Sequence, residues 1–202
     1  MRSWTRTLNL DDAHTLLALA EPGLSETAWC RSCHASIPHL SAPRRRELIR
    51  MVREDFLSWE DGRVELGLFS RYYVGAPASV QVELVNVQWA LTHPLPVVAV
   101  AELVEPALAS ADPEIPLDRV TALVAQRLTT GSQASLGKSR TVLVGALEGV
   151  GALRASGTGK HRRLFASRGV PHELTRAYLV ARGGPSLPAA LTACLEPAPP
   201  PA

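Results

Sequence analysis

With 202 residues, 46% of them apolar, the chain has material for one ordinary domain or two small ones, which excludes a globally disordered protein. Charged residues make up 20% and the net charge is only +2, so composition by itself points to no class of partner. The best apolar run, Val97 to Val104, is broken by Glu102 and bracketed by Pro94, Pro96 and Pro106, well short of the ~20 residues a bilayer span needs.

Residues 8–20 predict a short first helix with Asp11 or Asp12 near its start, where a carboxylate suits the helix dipole. Asp11, Asp12 and His14 also sit where a signal peptide would be apolar, so the chain reads as cytoplasmic. Pro22-Gly23 ends this helix, and Ser25 to Trp29 opens another that stops before Pro38.

That second segment contains Cys30-Arg31-Ser32-Cys33-His34, the spacing of a c-type haem attachment site. Haem would require export and a distal ligand such as Met51. A zinc site would need Cys30 and Cys33 completed by His34, His39 or Cys194. The third reading, partly buried thiols, is the one adopted, and no cofactor or metal is assigned.

Ser41 as N-cap, Pro43 in the first turn, and Leu48, Met51, Val52 and Phe56 at helical spacing predict a third helix. Arg44, Arg45 and Arg46 place three cations at its N-terminus, where the dipole favours anions by ~0.3–1 kcal/mol each. Either they form a solvated face eased by Glu47 and an Arg50–Glu54 pair, or they hold an anion such as a phosphate backbone.

Residues 59–75 read as a loop with a short helix around Leu66–Tyr73. Residues 79–91 fit both a strand and a helix, and their length selects the helix. A helix from Val97 to Leu108, kinked at Pro106, completes an N-terminal helical bundle over residues 1–110. Ser110 to Pro116 is the interior linker.

Beyond the linker a helix is predicted from Asp118 to Leu128, then a turn at Gly131, then a helix from Ser135 to Leu153. The segment Gly131 to Ser139 ends in Gly-Lys-Ser like a phosphate-binding loop. It has one residue too many after its first glycine, and a helix rather than a buried strand precedes it. On the second helix Leu136, Leu143, Leu147 and Val150 share one face, and Lys138, Thr141, Gly145 and Glu148 the opposite one. Two short arms around Gly157-Thr158-Gly159 then predict a hairpin.

Helix, turn, helix and basic hairpin is the order of a winged helix-turn-helix, here over residues 117–182. The fold class is therefore mainly α: a helical bundle followed by a winged-helix-like module, with a Pro-rich, disordered tail over 183–202. Between Gly131 and Arg182 lie nine basic residues against Glu148 and Glu173, a net +7 inside a chain of +2. That segregation is the footprint of a phosphate-contacting surface. Lys138, Arg140, Arg154, Lys160, Arg162, Arg163 and Arg168 are its candidate contacts.

Three stretches resemble the BrxA proteins of BREX phage-defence systems: Leu24–Trp29 leading through Leu40–Arg46; Ala101–Val104 with the linker and the helix to Leu128; and Ser135–Arg140 running to Leu147–Leu153. The resemblance covers most of residues 24–180. It implies a small, mainly helical, non-enzymatic DNA-binding component acting beside a methyltransferase, an ATPase and a phosphatase-like protein. Carried onto this sequence, the phosphate contacts would be Arg44–Arg46 and the basic positions from Lys138 to Arg163. The Cys-x-x-Cys-His is a departure from that family's pattern.

The reading is thus a double-stranded DNA-binding accessory protein working with other BREX-system proteins, with no membrane and no small-molecule substrate. The alternative is a winged-helix adaptor that docks protein partners without binding DNA. No Gly-x-Ser-x-Gly or His-Glu-x-x-His motif suggests an enzyme.

Overall fold

The structure is a computed structural model that describes residues 10–127, 133–159, 162–169 and 172–183. It is mainly helical, with one two-stranded and one three-stranded antiparallel sheet among the described residues. Lys160 and the expected tail beyond Gly183 lie outside the described residues. Contacts divide the chain into two compact units, Thr7–Trp89 and Ala90 onward.

The first unit opens with α1 (Leu10–Ala18), α2 (Glu26–Ser36) and α3 (Ala42–Asp55), which pack pairwise. Ser25 caps α2 by accepting the Ala28 amide at 3.3 Å. Ser41 takes the N-cap position of α3 without a side-chain bond, and Pro43 follows in the first turn. Trp29 anchors the core: it is fully buried, and its Nε1 donates to the Leu16 carbonyl at 3.3 Å. Such a ring removes a large apolar area from water, and the bond satisfies its one polar atom. Trp59 meets it edge-on at 5.7 Å.

Residues 58–65 depart from the predicted loop. They form a hairpin of β1 (Ser58–Glu60) and β2 (Arg63–Glu65), with Trp59 opposite Val64. Its turn is Asp61-Gly62, both at positive φ (48° and 70°), the geometry that Asp-Gly favours in a two-residue hairpin. Two helices complete the elements of this unit, α4 (Leu68–Tyr73) and α5 (Ala78–Thr92), within which the division falls. The helical reading of 79–91 holds.

The second unit begins with α6 (Pro94–Ala99), a π-helical segment (Val100–Val104) and α7 (Glu105–Leu108) in unbroken succession. The disturbance predicted at Pro106 appears as this wider turn. Pro106 has no N–H for the Glu102 carbonyl, and the Glu105 amide reaches back five residues to Val100. The expected linker is not a boundary. Ile115 is 3% exposed, and β3 (Glu114–Ile115) pairs with the strand Arg163–Ala166, which ties this segment into the second unit while Ser110 to Pro113 and Pro116 stay exposed. A two-residue strand leaves no alternation that a sequence pattern can register.

Next come α8 (Leu117–Arg127), α9 (Gln133–Gly149), β4 (Leu153–Ser156), β5 (Arg163–Ala166) and α10 (Glu173–Gly183). The sheet order is β3-β5-β4, antiparallel throughout. α10 was not anticipated; it buries Thr175, Tyr178 and Leu179 at helical spacing, and the His172 Nδ1 accepts the Leu174 amide at its start. α9 ends at Gly149 rather than at Leu153. Gly151 takes φ +74°, its amide donates to the Glu148 carbonyl, and the Ala152 amide donates to Leu147. This left-handed glycine cap turns the chain out of the helix and into β4.

The same glycine meets Gly169, which follows β5. The Gly169 amide donates to the Gly151 carbonyl at 3.0 Å, and a Cβ on Gly169 would lie 2.7 Å from the Gly151 Cα. Gly145, on the exposed face of α9, has nothing within 4 Å of a Cβ. Gly169→Ala is therefore expected to lower stability by about 1–3 kcal/mol, and Gly145→Ala to raise it by about 0.5–1 kcal/mol. Urea unfolding of the two variants measures both signs.

Candidate nucleic-acid interface

α9 is held on α8, α6 and β4, and most of its circumference is covered. Ser139, Val142, Leu143, Val144, Ala146 and Leu147 are buried. What stays in solvent is a narrow stripe of Lys138, Thr141 and Gly145, continued by half-buried Glu148. These positions recur every three or four residues, so they form one line along the helix. The predicted outward face is thus present, but among the described residues Lys138 is its one cation without a partner. Arg140 is half-buried and leans on α8, where Nη1 donates to the Thr121 Oγ1 at 3.4 Å.

The hairpin supplies the remaining cations. Register places Arg154 opposite Phe165, Ser156 opposite Arg163, and Glu114 opposite Phe165, so all five share the outer face of the sheet. The inner face carries Ile115, Leu153, Leu164 and Ala166, all buried. On the outer face Arg163 is engaged by its neighbours. Its guanidinium forks onto Glu114, with Nε to Oε1 at 2.9 Å and a second limb to Oε2, and it lies over the Phe165 ring at 5.3 Å. The bond from Arg163 holds the Glu114 carboxyl below the usual carboxylate range.

Arg162 reaches from the hairpin to α9 and donates to the Glu148 carboxylate at 2.7 Å. This pair joins the hairpin to the exposed stripe of the helix. Arg154 and Arg168 are exposed and have no carboxylate partner among the described residues. Among the described residues the free cations of this surface are accordingly Lys138, Arg154 and Arg168, while Arg162 and Arg163 reach it already neutralised.

On the first unit, Arg50 pairs with Glu54 at 3.6 Å as the sequence suggested, and Glu47 eases the arginine cluster through a pair with Arg44 at 3.2 Å. Arg45 donates from Nη1 to the Pro38 carbonyl at 3.5 Å, and Arg46 is exposed. Of the three arginines at this helix start, Arg46 alone stands clear of such partners among the described residues.

Cys30, Cys33 and His34 follow one another along α2 and do not converge. Cys33 is fully buried, Cys30 half-buried and His34 exposed. No group of three His, Cys, Asp or Glu side chains arranged to hold a metal occurs among the described residues, and Cys194 lies outside them. Burial pushes the Cys33 thiol up to about 12, and it raises Cys30 as well, helped by the Glu26 charge. Both thiols are therefore protonated at neutral pH, which disfavours them as ligands or nucleophiles.

No protein-family model and no curated protein matches the sequence. Among solved structures, an uncharacterized protein from Magnetospirillum magneticum is similar, with a TM-score of 0.66 and 13% identity over 93% of this chain and 95% of that one. At this identity the likeness establishes a shared fold across nearly the whole length. No single helix among the described residues is long and apolar enough to cross a membrane.

With Cys30 and Cys194 replaced by serine, the remaining Cys33 thiol is expected to react with Ellman's reagent only as fast as the protein unfolds. Rapid reaction in the native state would contradict the buried placement.

Proposed function

We propose that the second unit is a winged helix-turn-helix that binds double-stranded DNA, as a non-enzymatic component of a BREX-type defence assembly. The chain order supports the fold reading: a leading helix, a short strand, two helices, then a hairpin whose second strand pairs with that short strand. α9 takes the place of the groove-facing helix and the β4–β5 turn that of the wing. The observation that carries the proposal is the Arg162–Glu148 bond, which makes helix stripe and wing one surface. A duplex could then touch both at once. The resemblance of three sequence stretches to BrxA proteins supports the defence setting.

In this reading Lys138 approaches the groove from α9, and Arg154 and Arg168 hold phosphates. Thr141 and Gly145 let the backbone come close without adding bulk. So small a readout face favours positioning on phosphates over base discrimination, giving sequence-tolerant binding. Arg162 and Arg163 contribute only by exchanging Glu148 and Glu114 for phosphate oxygens.

That pre-neutralisation also favours a second reading, a winged-helix adaptor that docks protein partners. Partners retained through a high-salt wash, with no nucleic acid among them, would select it.

Three phosphate contacts predict that log K falls with log salt at a slope of about −3. Replacing Arg154 and Arg168 together by glutamine should bring that slope to about −1. Anisotropy titrations of a labelled duplex across salt concentrations measure both values. A slope unmoved by the double substitution would remove the sheet face from the account.

A further inference from the structure

The first unit carries a cleft of about 740 Å³ that the DNA-binding reading does not use. α1 lines it with His14, Leu17 and Ala18, α4 with Tyr73, and α5 with Ala78 and Val82. A volume of this order falls in the ~300–1,000 Å³ range of ligand-binding clefts. Most of its lining is apolar. Val74 and Val82, at 67% and 39% exposure, extend that apolar surface outward over the rim. Two exposed valines continuous with an apolar cleft form the kind of patch that marks an interaction site.

Among the described residues the charge at the rim is of one sign. Asp11 and Glu21 line the cleft, both are exposed, and neither has an ion-pair partner among the described residues. No lysine or arginine is among the described lining residues. His14 does not offset them: burial holds its pKa below the ordinary 6.5, against the pull of Asp11, so it is neutral at physiological pH. Its Nδ1 is 2.5 Å from the Tyr73 hydroxyl, its ring stacks on Tyr73 at 5.7 Å, and Nε2 is buried with no hydrogen-bond partner among the described residues. The floor is thus a fixed, uncharged His–Tyr pair beneath an apolar wall and an acidic mouth.

We propose that this cleft docks a segment of a partner polypeptide that presents an aliphatic side chain flanked by lysine or arginine. The aliphatic group would fill the space over Leu17, Ala18 and Ala78 and cover Val74 and Val82. The flanking cation would meet Asp11 and Glu21. Charge complementarity selects a basic segment over an acidic one. The apolar surface running past the mouth selects a chain over a small molecule, which would leave the rim valines wet. The inference concerns the first unit alone and stands whether or not the second unit binds DNA.

The test is fluorescence anisotropy of a labelled synthetic peptide made only of leucine and lysine, against its leucine–glutamate counterpart, using the full chain. The lysine peptide should bind and the glutamate peptide should not. Val82→Asp should weaken binding by roughly tenfold or more, the effect of a residue worth about 1.4 kcal/mol. Val180→Asp, at a site 76% exposed in the second unit, should leave binding unchanged. Asp11→Lys with Glu21→Lys should reverse the preference in favour of the glutamate peptide. All these positions are exposed, so unchanged melting by circular dichroism verifies the fold of each variant. Equal binding of both peptides, no binding of either, or binding insensitive to Val82→Asp would overturn the proposal. So would a concentration-dependent dimer that Val82→Asp disperses, because the cleft would then be an interface between copies of this chain.

Discussion

Two glycines set the geometry on which the C-terminal unit depends. Gly151 ends α9 in a left-handed turn, and Gly169 crosses it so closely that a Cβ on Gly169 would lie 2.7 Å, and one on Gly151 3.0 Å, from the other's Cα. Around that crossing the Ser167 and Gly169 amides donate to the Ala152 and Gly151 carbonyls, extending the β4–β5 pairing to the end of the helix. The hairpin is thereby fixed where α9 stops. Arg154 falls on the outer face of the sheet, and Arg162 lies within reach of Glu148 on the helix stripe. Larger residues at the crossing would push the hairpin away from the end of α9.

The electrostatics of this unit show why a count of charges along a segment overstates the charge a partner meets. The segment from Gly131 to Arg182 sums to +7, but the fold answers Arg162 with Glu148 and brings Glu114, from outside the segment, onto Arg163. Exposed ion pairs of this kind add little stability, with a median near 0–1 kcal/mol. Their effect here is on availability, since each paired guanidinium must give up a carboxylate before it can hold a phosphate. Arg127 with Glu102 and Arg44 with Glu47 repeat the arrangement elsewhere.

What was legible in the sequence follows from range. The helical periodicity of 117–127 and of 133–149 specified elements and faces together: Lys138, Thr141 and Gly145 lie outward, and Leu143 and Leu147 lie inward. The Gly-rich turn after Ser156 gave the hairpin. The Asp61-Gly62 hairpin was equally available, because that dipeptide between Trp59 and Val64 is a local turn signal, and the loop reading passed over it. Other features were not available. β3 exists only because β5, some fifty residues later, offers it a partner, and the crossing of Gly151 and Gly169 is likewise long-range. The neutralised arginines and the α1–α4–α5 cleft depend on tertiary contacts that no periodicity records.

The central claim is that α9 and the hairpin present one duplex-binding surface, and amide chemical-shift mapping by NMR with a short DNA duplex tests it most directly. The account predicts perturbations at Lys138, Thr141, Gly145, Arg154 and Arg168 together, with Trp29 and Cys33 in the first unit unmoved. Perturbations confined to the first unit, or none in α9 and the hairpin at saturating duplex, would contradict it.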